Sequence, residues 1–321
     1  MNYSEQSHQE MIKTIIIRHF NEMPKSINRI TIGICNEVYS VPLNTKEVIV
    51  RLSSTDKYLR GSQVHIPEFK GLGIKVPDIL AEDYSQSLIP FCYQIQNKFE
   101  GQDLGLVIES LNEAQLKKLA HEIAVIFRKV ETLPVTAQYG VVWGGDNDLS
   151  DSWSERMKLW VEESIERGKI TGVMDSEMES IATQLYLEYT IYFNSVKPTM
   201  YYGDICSKNV MIHEGLFNGL VDLDGLTQGD PLEALGRIKL SWFDTPYGDF
   251  YSNAIMEELA LDKKQCQLVM VYALLNQISW ACENGIQFNQ NTKPVVNWEK
   301  AKKDKAAIKK LFKLLRKYES Q

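Results

Sequence analysis

No C-x-x-C pair occurs in these 321 residues, and the five cysteines, at 35, 92, 206, 266 and 282, are odd in number and far apart. No histidine stands at metal-ligand spacing from them, so reduced thiols are expected and structural zinc is not. Long apolar runs are missing as well. Ile15-Ile16-Ile17 falls far short of the ~20 apolar residues of a membrane span, and the opening MNYSEQSHQE carries no basic segment of the leader type. With no lipid-attachment motif either, a cytosolic protein without a membrane partner is expected. A basic excess is also lacking. The 35 Lys and Arg against 42 Asp and Glu give a formal charge of -7, so no nucleic-acid partner is expected. Internal repeats and low-complexity tracts are absent.

What is present is core material, 44% apolar against 24% charged, enough for two lobes. Residues 27–52 read as extended: IGICNEVYSV, a Pro-Leu-Asn turn, then EVIVRLSS, which predicts two antiparallel strands with a glycine turn near Gly33. A helix-compatible stretch covers 62–69, and segments 78–80 and 87–96 suggest two further strands. After Gly101 the character changes, because Leu116, Leu119, Ile123, Ile126 and Phe127 fall on one helical stripe. Residues 135–149 lack periodicity and read as a connection. Helical patterns resume over 152–167, 176–193 and 263–283. The basic C-terminal segment KAKKDKAAIKKLFKLLRKY places Ile308, Leu311, Phe312 and Leu315 at helical spacing, as in an amphipathic helix packed by one face. The expected fold class is α+β: a small N-terminal antiparallel sheet lobe over 1–100, a larger helical lobe over 101–321, and a cleft between them for ligands.

The informative block is TMYYGDICSKNVMIHEGLFNGLVDLDGLTQGDP. It holds Gly203-Asp204, Asn209 five residues later, Val210-Met211-Ile212, then Gly219-Leu220-Val221 running into Asp222-Leu223-Asp224, and Gly229-Asp230-Pro231. This set suits phosphoryl transfer, in which one carboxylate positions an acceptor hydroxyl and takes its proton while oxygen ligands hold magnesium across the phosphates. Asp204 supplies the base. Asn209 and Asp222, at the two ends of an expected hairpin, supply the metal ligands.

The block resembles the aminoglycoside phosphotransferase and choline kinase-like branch of the protein-kinase fold, whose signature H-G-D-x-x-x-x-N, D-[FL]-[DE], G-D-P appears here as Y-G-D-I-C-S-K-N, V-D-L-D and G-D-P. The resemblance implies a kinase of small molecules using ATP or GTP with Mg²⁺. It also implies that Gly33 and Asn36 belong to a nucleotide-covering hairpin, and that Arg51 stands where a lysine usually contacts the α- and β-phosphates. Counting by the family's spacing, the acidic partner of that cation falls near Gln63, which is not acidic; Asp56 and Glu68 are the nearby acids. YQIQNKFEGQDLG looks like the inter-lobe hinge, with Gln96 before it and the backbone of Lys98 and Phe99 facing the base, although an ordinary strand and turn fit the local sequence equally. Tyr202 replaces the family's histidine. Lys208 is a candidate neighbour of the transferred phosphate, Asp224 a carboxylate close to the metal, and Asp230 a brace of the helical lobe.

For the acceptor, Trp153, Trp160, Trp242, Phe243 and Tyr247 could line an apolar wall, with Asp244, Asp249, Glu257 and Glu258 meeting a cation, and core or solvated-face roles compete for all of them. The expected partner is a small hydroxylated acceptor: an aminosugar antibiotic, a choline-like amine, a macrolide or a sugar. A nucleotide-binding protein without turnover is the alternative. A protein kinase fits less well, because Gly229-Asp230-Pro231 follows Asp222 too closely for a long activation loop.

Overall fold

Alternation in EVIVRLS fixes how one strand lies: Val48, Val50 and Leu52 are fully buried toward one face, which leaves Ile49 and Arg51 on the other. In the computed structural model, which describes residues 4–33, 35–145, 147–289 and 291–320, this is the third strand of a five-stranded sheet. The chain begins with α1 (Glu5–Phe20), β1 (Asn28–Ile30), β2 (Glu37–Pro42), β3 (Glu47–Ser53), α2 (Lys57–Gly71), β4 (Ile79–Asp83) and β5 (Cys92–Asn97). The sheet runs β1-β2-β3-β5-β4 with every pair antiparallel. Helix α1, which the sequence reading does not include, lays Ile12, Ile15 and Ile16 on the face formed by Val41, Val48, Val50, Leu52 and Ile95. That is the smaller core.

After the sheet come β6 (Gln102–Asp103), α3 (Leu104–Val107), α4 (Glu113–Val130), β7 (Tyr139–Val142), β8 (Asp148–Ser150), α5 (Trp153–Thr171), α6 (Ser176–Ser195), β9 (Thr199–Tyr201), β10 (Val210–His213), β11 (Leu216–Leu220), β12 (Leu226–Gly229), α7 (Leu232–Ser241), α8 (Pro246–Glu258), α9 (Lys263–Ala281) and α10 (Trp298–Glu319). The architecture is α+β, with an antiparallel sheet lobe followed by a helical one. Helix α4 starts on a capping box formed by Asn112 and Gln115 and buries the expected stripe. In α10, Ile308, Leu311 and Leu315 are buried. The connection expected over 135–149 is a correction: its ends are the hairpin β7–β8, and β7 pairs with β12 some eighty residues later.

Two features place the cleft. Gly101, at φ 107°, lies against β10 so closely that a Cβ would stand 2.2 Å from the Ile212 carbonyl, and this pins the linker between sheet and helices. Helix α2 follows β3 in sequence, yet Ile66 and Phe69 belong to the larger core, with α4, α9 and β10–β12. It therefore packs on the helical lobe beside β10–β12.

Candidate active site

The loop from β9 to β10 folds on itself: Cys206 N–H donates to the Asp204 carbonyl (2.8 Å), and Asn209 N–H to the Cys206 carbonyl (3.2 Å). The Asn209 amide then donates to the Asp204 carboxylate (2.7 Å) and carbonyl (2.9 Å), which leaves Asn209 Oδ1 with no partner among the described residues. The hairpin β10–β11 returns the chain, and Val221 N–H donates to the Asn209 carbonyl at 3.0 Å. Asp204, Asn209 and Asp222 are thereby gathered at one end of the hairpin.

Asp222 has φ 62°, in the left-handed region that aspartate tolerates better than most residues. The turn is braced by Tyr202, whose buried hydroxyl lies 2.8 Å from the Val221 carbonyl and 3.0 Å from that of Asp222. Burial, then the charges of Asp204 and Asp222, push the Tyr202 phenol far above its ordinary pKa, so it stays a neutral donor. This is the work done at the position where the family has histidine.

Arg51 crosses from β3 to the same loop. Its guanidinium bonds Asp222 Oδ1 (2.8 Å), Asp224 Oδ2 (2.5 Å) and Ser62 Oγ (2.8 Å). The two carboxylates differ in access: the Asp222 side chain is 41% exposed to the cleft and that of Asp224 only 9%. Enclosure of the cleft and the adjacent Asp224 charge outweigh Arg51 and lift the Asp222 carboxyl to about 6. Neither Asp56 nor Glu68 serves Arg51; Asp56 pairs with Arg60, and Glu68 with His65 at 2.8 Å. Gln63 is turned to Glu82 at 2.5 Å.

Among the remaining expected nucleotide contacts, Asn36 is buried and donates to Asp224 Oδ2 at 2.8 Å. The Gly33 carbonyl, at φ 106°, accepts from Asn291 (3.0 Å) and Asn289 (3.4 Å) in the segment between α9 and α10. Gln96 is buried on β5, bonded to Gln94 at 2.6 Å. The Lys98 amide is a correction, since its N–H belongs to the sheet, donating to the Glu47 carbonyl at 3.3 Å, while its ammonium pairs with the Glu47 carboxylate at 2.8 Å. The Lys98 carbonyl and the Phe99 backbone remain as linker groups. Phe99 packs its ring over Gly219, where a Cβ would stand 2.4 Å from the ring.

Two cations flank Asp204: Lys208 Nζ at 3.9 Å and Arg237 Nη1 at 3.8 Å. Burial works against the Lys208 charge, but Asp204 and Asp222 more than offset it and hold its pKa above the usual value. Arg237 escaped the sequence reading. It is held by buried Glu233 (2.6 Å), four residues earlier on α7, and Glu233 also accepts from Tyr201 and Asn276, both at 3.2 Å. The i, i+4 spacing of an acid and an arginine after Gly-Asp-Pro was the available signal. Asp230 accepts from the hydroxyls of Tyr192 (2.6 Å) and Tyr272 (2.7 Å), tying α6 to α9.

The acceptor candidates are largely occupied elsewhere. Trp153 is buried and donates to the Tyr272 hydroxyl (2.8 Å), Trp160 donates to Ser279 (3.1 Å), and Trp242 packs on Tyr251. Asp244, Asp249 and Glu258 pair with Lys310, Lys239 and His121. The acids of the expected wall thus carry cation partners on α10, α7 and α4 while staying partly exposed.

A two-lobed fold with a D-x-x-x-x-N loop, a facing D-x-D loop and a sheet cation above them defines a kinase-type phosphotransferase scaffold. The profile described as the phosphotransferase enzyme family, APH, matches residues 26–265, and the chain belongs to that family of small-molecule phosphotransferases. Among solved structures, a thermostable mutant of aminoglycoside phosphotransferase APH(4)-Ia in its apo form shares the fold with a TM-score of 0.71 and 14% identity, over 96% of this chain and 98% of that one. A point mutant of aminoglycoside 2'-phosphotransferase-IIIa with GDP bound gives 0.68 and 15%, over 97% of both chains. A chain described as a candidate fructosamine-3-kinase from Haemophilus somnus 129PT gives 0.62 and 14%, over 94% and 96%. No curated protein sequence matches. No helix of the described residues is long and apolar enough to cross a membrane.

Proposed function

We propose that this protein transfers the γ-phosphate of ATP or GTP to a hydroxyl of a small molecule, with Asp204 as base and Asn209 and Asp222 as Mg²⁺ ligands. The observation that carries the reading is the assembly of Asp204, Asn209 and Asp222 through the Asn209–Asp204 bond and the Asn209–Val221 backbone bond. Among the described residues no group of three or more His, Cys, Asp or Glu could hold a metal alone. Two oxygen donors fit Mg²⁺ all the same, because it commonly takes one or two protein oxygens and completes its shell with phosphates and water. When bound, the metal would neutralise charge on the phosphate oxygens.

The chain's own groups divide the rest. Asp204 orients the acceptor hydroxyl and accepts its proton, held by the Asn209 amide. Lys208 places positive charge beside the reacting centre, and Arg51 offers its guanidinium to the phosphates. Neighbouring structures support nucleotide use: a mutant of APH(4)-Ia with a TM-score of 0.70 and 14% identity binds AMP-PNP together with hygromycin B, and the 2'-phosphotransferase binds GDP. Support for an enzyme over a binder without turnover comes from the two departures in sequence, since Tyr202 braces the metal loop and Arg51 has carboxylate partners.

The test is nucleotide consumption with ATP and with GTP over a panel of aminosugars, amino alcohols, macrolides and sugars. With a working acceptor, Asp204→Asn should lower kcat about 10²- to 10⁴-fold and leave nucleotide affinity within about 3-fold. Full turnover in Asp204→Asn removes the proposed base; nucleotide binding without turnover on any acceptor favours the binder.

A further inference from the structure

We infer that Asp224 is the fixed counter-ion that positions Arg51, taking the place of a carboxylate on α2, and that Asp222 is thereby left to the metal. A buried guanidinium needs a buried partner, because an unpaired charge is expensive to enclose. Helix α2 offers no acid for it. Ser62 is fully buried at the contact; its hydroxyl accepts from Arg51 and donates to Asp224 Oδ1 at 2.6 Å. Asn36 and Arg51 both donate to the other oxygen, at 2.8 and 2.5 Å. Three donors from three segments therefore occupy three of the roughly four acceptor sites of the Asp224 carboxylate, whose side chain is only 9% exposed, and bind it to Arg51 and the sheet in preference to a metal.

Asp222 is different, since among the described residues only its Oδ1 is taken, by Arg51, and its side chain opens to the cleft. The backbone supports this division. Gly61 of α2 sits so close to the loop that a Cβ would stand 1.5 Å from the Asp224 carbonyl oxygen, so helix and loop are pressed together with no room for a longer reach. Phosphate clamp and metal ligand are consequently two residues apart on one loop, and a shift of α2 removes only a hydroxyl from Arg51, not its counter-charge.

This inference rests on the nucleotide reading, and calorimetric titration with AMP-PNP and GMP-PNP, each with Mg²⁺ and with EDTA, separates the two. A parent that binds neither overturns both. With a binding parent, Asp224→Asn should weaken binding about 10- to 100-fold, the range for a charge-assisted bond, equally with and without metal. Asp222→Asn should instead abolish the gain given by Mg²⁺. In turnover, Asp224→Asn should raise the nucleotide KM far more than it lowers kcat. The exchange Ser62→Asp with Asp224→Ser returns a carboxylate to Arg51 from the helix and should restore affinity to within about 5-fold of the parent by the same bond. Ser62→Ala, expected to fold by circular dichroism, should weaken binding by a smaller metal-independent factor. Parent-like affinity in Asp224→Asn, a loss confined to the Mg²⁺ titration, no restoration in a folded exchange variant, or parent-like affinity in Ser62→Ala would overturn it.

Discussion

The left-handed turn at Asp222 shows how one side chain stands in for another. Histidine would approach this turn through a ring nitrogen; Tyr202 does it with a hydroxyl set between two carbonyls of the turn. Removing that oxygen leaves two part-buried carbonyls without this donor, and Tyr202→Phe should cost about 0.5–1.5 kcal/mol of stability for that reason. The same change should reduce turnover while the Asp204 loop stays formed, since its bonds are local. Thermal melts and steady-state rates on the pair check this, and an unchanged melting temperature would mean that the hydroxyl carries no share of the turn. The motif residues were legible in sequence because their chemistry demands a fixed order and spacing. Asp224 as partner of Arg51 was not, because the two are 173 positions apart and the family's spacing points to α2 instead.

Elements were legible in proportion to their periodicity. The stripes of α4 and α10 announce themselves, whereas β7 and β8, of four and three residues, are held by pairing, β8 with β7 and β7 with the distant β12. Helix α6 illustrates a contribution that no periodicity reveals. Its N-cap, Asp175, accepts the Met178 amide at 2.9 Å and pairs with Lys305 of α10. Burial works to raise the Asp175 carboxyl, but the bonds from Lys305 and from the Met178 amide overcome it and hold it below the usual value. A depressed carboxylate stabilises the fold above the unfolded-state pKa, near 3.8, and that contribution is lost as pH falls through the folded value. Asp175→Asn keeps a capping side chain and loses the ion pair. At pH 7 it should cost about 0.5–1 kcal/mol, reduced by the exposure of both partners, and the difference from the parent should vanish in the acid range below the folded-state value. Denaturant melts across pH 2 to 7 measure it; a gap that persists in acid would assign the effect to the cap and not to the charge.

At the scale of the whole molecule, the sheet and the helices meet at more than the linker. Arg51 ties β3 to the loop of Asp222 and Asp224, and on the far side the segment between α9 and α10 reaches the turn between β1 and β2 through Asn289 and Asn291 at the Gly33 carbonyl. Asn291 also accepts from Arg29 at 2.8 Å, so one side chain joins β1, the Gly33 turn and the helical lobe. If nucleotide lies beneath Gly33 as proposed, this bridge closes the cleft over it, and opening for release must break the bridge. Hydrogen bonds of this kind contribute about 0.5–1.5 kcal/mol each, which corresponds to roughly a 3- to 10-fold change in rate per bond. Asn291→Ala should therefore speed dissociation of a fluorescent nucleotide by about that factor while slowing its association little, because the bond forms only after the hairpin has closed. Protease cleavage in the linker near residues 98 to 101 should be slowed less by nucleotide in Asn291→Ala than in the parent. Stopped-flow release and timed proteolysis read the two effects independently. Equal release rates in variant and parent would show that the α9–α10 segment merely rests on the hairpin, and closure would then depend on Arg51 and its two carboxylates alone.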